Sequence, residues 1–357
     1  VTDERHSIRL PASLDRRRLI YRWDLDKTYL RTEFDTMRDL VRTAFEPATA
    51  KRTVPGAAVL LREICRTGPA GVTILSGSPE QMRRVLEKKL RLDGIQWSSF
   101  TLKPSLHNLL RGRFRFVRDQ LGYKLAALLA SRVLTDVAND EVCFGDDAEA
   151  DAFIYSLYAD LCAGRVSQDL LLELFTTART YPVEVPRLLR LAAEIPKRES
   201  LRHIFIHLDR VSAPEDFAAL GTRVCPFFNY LQPALVLLEG GGIDAASAFR
   251  VAAELVVDHA FTSDGLVASY ADLVRRKHLG AGAALTLAEA APMLTREKFA
   301  TAAPVLRAFV TELEKRLPSF PEAPGVVVEP IDYVRFFASD RERAHAAKRR
   351  ASPRRKG

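Results

Sequence analysis

Leu19-Ile20-Tyr21-Arg22-Trp23-Asp24-Leu25-Asp26-Lys27-Thr28 begins as a short run of large apolar residues and ends in two carboxylates separated by one position. A run of that length with only one charge before its end suits a strand covered on both faces of a parallel sheet. Similar short runs lie at 71–75, 99–102, 141–144 and 203–208, with helical patterns between them. One of these patterns, 79–90, is preceded by Ser78-Pro79-Glu80-Gln81, a capping box with proline at the first helical position. Strand–helix alternation of this kind predicts an α/β domain built on a Rossmann-like, doubly wound parallel sheet.

Beyond these strands the pattern turns helical from 152 to 196, with breaks at Gly164 and around 181–186, and again from about 245 to 317. The expected organisation is an α/β domain over 12–243 carrying a helical insertion at about 164–199. A helical C-terminal domain over 244–318 follows, then a linker with a short extended segment over 319–340 and a basic, disordered tail over 341–357. The formal net charge is +8, but eight Lys/Arg against one Glu place +7 in that tail and leave +1 for the body. A nearly neutral body disfavours a basic nucleic-acid groove in the fold. The four cysteines have no metal-ligand or redox spacing, which fits buried thiols in a reducing compartment. Residues 1–11 lack the apolar core of a secretory signal, and no apolar run approaches the ~20 residues of a membrane span. A cytoplasmic protein is the expectation.

The chemistry-bearing residues fall at strand ends. A carboxylate such as Asp24 can attack phosphorus and form an aspartyl-phosphate, splitting one displacement into two easier ones. Asp26, two positions on, projects to the same side and can protonate the leaving oxygen and then deprotonate the attacking water. Ser76-Gly77-Ser78 follows the second strand and offers a hydroxyl and backbone N–H groups to phosphoryl oxygens, with Ser76 as ligand and Ser78 as helix cap. Lys124 stands at the start of an apolar helix, where the dipole disfavours a cation; a nearby phosphate compensates. Gly145-Asp146-Asp147-Ala148-Glu149-Ala150-Asp151 closes the fourth strand, and carboxylates this dense call for a cation. Mg²⁺, which takes a few carboxylates and shares its remaining ligands with water and phosphate, is the expected cofactor.

This ordered set, Asp-x-Asp-x-Thr, Ser after the second strand, Lys and an acidic Gly-Asp motif, resembles the haloacid dehalogenase (HAD) superfamily of aspartate-nucleophile phosphatases. A narrower resemblance is to the phosphatidate phosphatase catalytic-domain family, related to the yeast actin-patch enzyme and more distantly to lipins. It rests on Val54-Pro55-Gly56, Ser76-Gly77-Ser78-Pro79, and Gly145-Asp146 with Glu149, Asp151 and Ile154-Tyr155. The resemblance implies strand order 3-2-1-4-5 and a magnesium-dependent phosphomonoesterase, with a phosphatidate-type lipid as first-choice substrate. It implies Asp24 as nucleophile and metal ligand, and Asp26 as acid/base with its carbonyl on the metal. Thr28 supports the loop on the substrate side, Ser76, Gly77 and Lys124 meet the phosphoryl group, and Asp146 and Asp151 complete the metal site. Three features depart from the family pattern. Lys27 replaces a small or acidic residue; Asp147-Ala148 replaces Ser-Gly, which leaves open whether Asp146, Asp147 or Asp151 touches the ion; and the helical insertion is foreign to the yeast-like enzymes.

Other features carry less. His203 and His207 share a strand face but sit about 13 Å apart at ~3.3 Å per residue, too far to share one metal. Residues 111–118 interleave Arg and Phe but lead directly into the Lys124 helix, and Gly240-Gly241-Gly242 follows a helix as a stop signal. About 26 residues separate Thr28 from Pro55, so no large cap covers the site, which favours a bulky or surface-held substrate. The basic tail offers a second contact with an anionic membrane surface, making the protein peripheral. The alternatives are a silent domain that binds a phosphorylated partner and a phosphatase acting on nucleic-acid ends.

Overall fold

The computed structural model describes residues 8–10, 13–31, 51–103, 113–148, 150–209 and 212–337. The basic tail, 341–357, and Glu149 lie outside the described residues. Six parallel strands form the central sheet: β2 (Leu19–Asp24), β3 (Gly71–Pro79), β4 (Ser99–Lys103), β5 (Asp140–Asp146), β6 (Leu201–His207) and β7 (Val224–Phe227). Their spatial order is β4-β3-β2-β5-β6-β7. Counted from β2 as the first, this is the expected 3-2-1-4-5 with a sixth strand added at the edge. That sixth strand, four residues containing Pro226, reads as a breaker in sequence. An edge strand tolerates it because one of its sides has no partner to supply.

The alternation of β2 assigns its residues to the two covered faces. Leu19, Tyr21 and Trp23 face a core shared with α1 (Ala57–Arg66), α2 (Arg83–Leu92), α7 (Leu231–Glu239), α8 (Ala245–His259), α9 (Ser263–Arg275), α10 (Gly282–Ala290) and α11 (Ala303–Arg316). Within this core Trp23 stacks on Phe144, with ring centroids 3.8 Å apart, and on Tyr230 at 5.9 Å. The opposite face is covered by α3 (Arg113–Val133), α4 (Asp151–Cys162), α5 (Gln168–Thr177) and α6 (Val185–Glu194). Arg22 and Asp24 point to that side. Arg22, fully enclosed, bonds Glu141 and the Ser131 hydroxyl (2.8 Å), while Arg132 bonds Glu141 at 3.0 Å and Tyr158 caps it at 2.9 Å. A charged residue inside the founding strand is therefore paired on arrival, which a buried charge requires. A two-stranded antiparallel sheet joins β1 (Ile8–Leu10) to β8 (Val326–Val328). No disulfide forms among the described cysteines.

Candidate active site

At the carboxyl edge of the sheet, β2 ends on Asp24 and turns tightly through 25–31. Tyr29 and Leu30 N–H groups both donate to the Leu25 carbonyl (3.0 and 2.8 Å), and Lys27 N–H donates to the Leu30 carbonyl at 2.9 Å. The turn forces Lys27 into the left-handed region, φ +59°, a conformation costly for a residue with a Cβ and sustained by its surroundings. Two outside groups hold it. His207, the last residue of β6, places Nδ1 2.8 Å from the Lys27 carbonyl, and Tyr230 donates its hydroxyl to the Thr28 carbonyl. Burial lowers the His207 pKa, so the neutral ring serves as the brace. Neither contact is visible in sequence, because both join segments about 180–200 residues apart.

With the turn fixed, Asp26 faces β3. Ser76 Oγ donates to Asp26 Oδ2 at 2.8 Å and Ser78 Oγ donates to the same carboxylate at 2.9 Å. The two-residue period of a strand aligns both hydroxyls, and β3 stays extended through Gly77 to Pro79 across a register shift against β4. This corrects two expectations. The helix expected over 79–90 instead begins as a 3-10 turn, Glu80–Met82, and continues as α2 from Arg83. Ser78 is not its cap: Pro79 stands at the cap position with no side-chain capping bond, and the Ser78 hydroxyl donates to Asp26 instead. Tyr123, which no sequence motif singled out, donates to the Ser76 carbonyl at 3.0 Å.

Asp24 is completely buried and lies 3.1 Å from Lys124 Nζ, which also bonds Asp151. Lys124 sits midway along α3, not at a helix start, so the dipole argument does not apply. The amine is compensated directly by the two carboxylates it touches. It reaches Asp24 because α3 lies along the face to which β2 turns its even-numbered residues.

The acidic segment sorts itself by geometry. Asp146 ends β5; its N–H donates to Asp151 Oδ2 at 3.3 Å, and its own Oδ1 accepts the Ala148 N–H at 2.6 Å. Carboxylate oxygens of Asp24, Asp146 and Asp151 all lie within 4.8 Å of one another. Asp147 turns away, accepting N–H groups from Asp209 (2.8 Å) and Ser212 (3.1 Å). Gly145 is required by this packing: a Cβ there would stand 2.5 Å from Asp151 Oδ2 and 2.6 Å from its Cβ. Among the described residues one ammonium meets three buried carboxylates, a local excess of negative charge that a bound cation or a shared proton would offset in a low-dielectric site. An all-oxygen donor set fits a hard divalent ion such as Mg²⁺ better than a thiophilic metal.

Around this cluster the phenols of Tyr155 and Tyr230 are pushed well above their ordinary pKa, first by burial and then by the neighbouring Asp151 and Asp24. They stay protonated and can only donate or accept hydrogen bonds. Of the residues expected from sequence, Asp24, Lys124, Asp146 and Asp151 come together directly, and Asp26, Ser76 and Ser78 form an adjoining hydrogen-bonded group. Thr28 is fully buried on the loop, and its hydroxyl finds no hydrogen-bond partner among the described residues. Among the described residues no helix is long and apolar enough to cross a membrane.

Residues 23–170 match the family described as phosphatidate phosphatase APP1, catalytic domain, the family the motifs resemble. The span runs from the end of β2 past Asp151 and encloses every member of the cluster. No curated protein and no solved structure matches the chain.

Proposed function

From the match of residues 23–170 to a phosphatase catalytic domain, we propose that the chain is a magnesium-dependent phosphomonoesterase acting through an aspartyl-phosphate, with a phosphatidate-type lipid as substrate. The observation that supports it best is the convergence of Asp24, Asp146 and Asp151 around the buried Lys124 amine.

Asp24, Asp146 and Asp151 would hold Mg²⁺, with the Asp26 carbonyl as a further ligand; the ion supplies charge neutralisation and polarises the phosphoryl oxygens. The chain's own residues then divide the work. Asp24, at the rigid end of β2, delivers a carboxylate oxygen to phosphorus. Lys124 takes a phosphoryl oxygen and screens it from the Asp24 charge, which otherwise repels an anionic substrate. Asp26, kept in place by two serine hydroxyls, gives its proton to the leaving alkoxide as the P–O bond breaks. In the second half it takes a proton from water, and the water oxygen attacks phosphorus, releasing phosphate and restoring Asp24. Ser76, turning its hydroxyl from Asp26 and leaving that carboxyl to Ser78, and the backbone at Gly77 would meet the phosphoryl oxygens from the β3 side. The Tyr230 and His207 braces keep Asp24 and Asp26 at fixed separation, the positional control on which such a relay depends.

The test is phosphate release from a panel of monoesters, phosphatidate in detergent micelles included, with and without Mg²⁺ and with Asp24→Asn as control. Metal-dependent turnover lost in the variant supports the reading. Turnover that persists in Asp24→Asn, or that is absent across the panel, overturns it.

A further inference from the structure

The helical insertion is the part of the chain that the proposed chemistry does not use. Its two helices, α5 and α6, are joined by residues 178–184. α4 begins at the acidic cluster with Asp151 and runs away from it; α5 returns and α6 leaves again, packing along α3. The joining turn therefore lies at the same edge of the sheet as Asp24. A contact fixes the height: a Cβ on Gly122 would collide with the Glu184 carboxylate, two positions before Lys124.

The tip of the turn is open. Val183 is 84% exposed, and Pro182 beside it is exposed as well. Arg179, Arg187 and Arg190 stand exposed on either side of this apolar tip, and Glu184 is the one acid between 179 and 190. An exposed apolar tip with exposed arginines before and after it in the chain matches a layered partner, anionic at its surface and apolar a few ångströms below.

We propose that residues 178–190 seat the active-site edge on an anionic lipid bilayer, Val183 entering the interface and the three arginines meeting the headgroups. This rests on the reading of the chain as a lipid phosphatase and supplies the element that brings a membrane-held phosphomonoester to Asp24. It is distinct from attraction through the basic tail, which lies far along the chain and holds no large apolar residue in its sequence.

The experiment is co-sedimentation of the full chain with phosphatidylcholine vesicles, with and without phosphatidylserine. Neither lipid is a phosphomonoester, so binding is read independently of turnover. The parent protein binds the anionic vesicles and not the neutral ones. Each arginine near the surface contributes a factor of about five, so Val183→Asp with Arg187→Glu, which also reverses a charge and removes the tip, weakens binding by more than about ten-fold. Turnover of soluble p-nitrophenyl phosphate is unchanged in that variant, while turnover of phosphatidate in vesicles falls with the affinity. A variant that binds anionic vesicles as the parent does, because the tail alone carries the attraction or because another face docks, overturns the proposal. So does a parent that binds neither vesicle. Asp24→Asn protein binds as the parent does, so loss of the phosphatase reading and loss of this one are separately visible.

Discussion

Lys124→Met is the most informative single change, since it keeps an unbranched apolar side chain one atom shorter and removes the ammonium. The amine has no exposed surface, stands 3.1 Å from Asp24 and bonds Asp151. Without it, three buried carboxylates remain within 4.8 Å of one another. At an effective dielectric of about 20, two unit charges at that separation repel by roughly 3.5 kcal/mol. Breaking a buried pair by removing one partner typically costs about 3–5 kcal/mol, and the crowding places this site in that range. Urea unfolding in EDTA is expected to show that loss. Adding Mg²⁺ is expected to return more stability to the variant than to the parent, because the ion then meets a charge the lysine no longer offsets. A variant within about 1 kcal/mol of the parent in EDTA, with no greater response to Mg²⁺, refutes both the electrostatic account of the cluster and its role as a cation site.

Two other perturbations test the surroundings of the cluster. Gly145→Ala places a methyl 2.5 Å from Asp151 Oδ2, so Asp151 must move; we expect about 1–3 kcal/mol lost from overpacking and, from a displacement near 1 Å, turnover down by up to about 100-fold. Unchanged activity would show that Asp151 need not sit where it does. His203, stacked on Phe205 and enclosed in β6, has its pKa pushed down to about 4, first by burial and then by Arg202. Because the folded pKa lies below that of the unfolded chain, this histidine's contribution is complete above pH 6.5 and is lost as pH falls from there toward 4, by about 1.4 kcal/mol per pH unit. Urea midpoints at pH 7 and pH 5 for the parent and His203→Leu check this, and an equal loss in both proteins excludes His203 as the source.

The strands carrying Asp24, Ser76 and Asp146 were legible because each is short, apolar and followed at once by polar residues, the pattern of a strand that ends where a parallel sheet meets solvent. That Lys124 would meet the carboxylate cluster was legible, but for the wrong reason. Its helix was read as starting near Gly122, whereas α3 is already helical at Arg113, and the Arg–Phe alternation there obscures the helical period. The Asp146–Asp147–Asp151 ambiguity could not be settled from spacing. In the fold the N–H groups of Asp209 and Ser212 draw Asp147 aside, leaving Asp146 and Asp151 beside Asp24, and both N–H groups lie beyond another strand. Ser78 was misassigned because a capping pattern and a strand bulge share the same residues, and only the position of Asp26 distinguishes them. The braces from His207 and Tyr230 had no local signature at all.

The Trp23–Phe144–Tyr230 stack has a practical consequence. Trp23 and Phe144 belong to the segment that matches the catalytic-domain family, but Tyr230 and the helices beyond it lie on the far side of any cut made at residue 170. An excised 23–170 fragment would keep α1 and α2 on that side of the sheet but lose α7–α11, and would also lose most of β2, all of β6 and β7, and the hydroxyl that steadies the Asp24–Thr28 bend. What sequence comparison marks out as a catalytic module is thus half of a cooperative unit, and the residues that perform a reaction and the residues that let them hold still need not share the same borders.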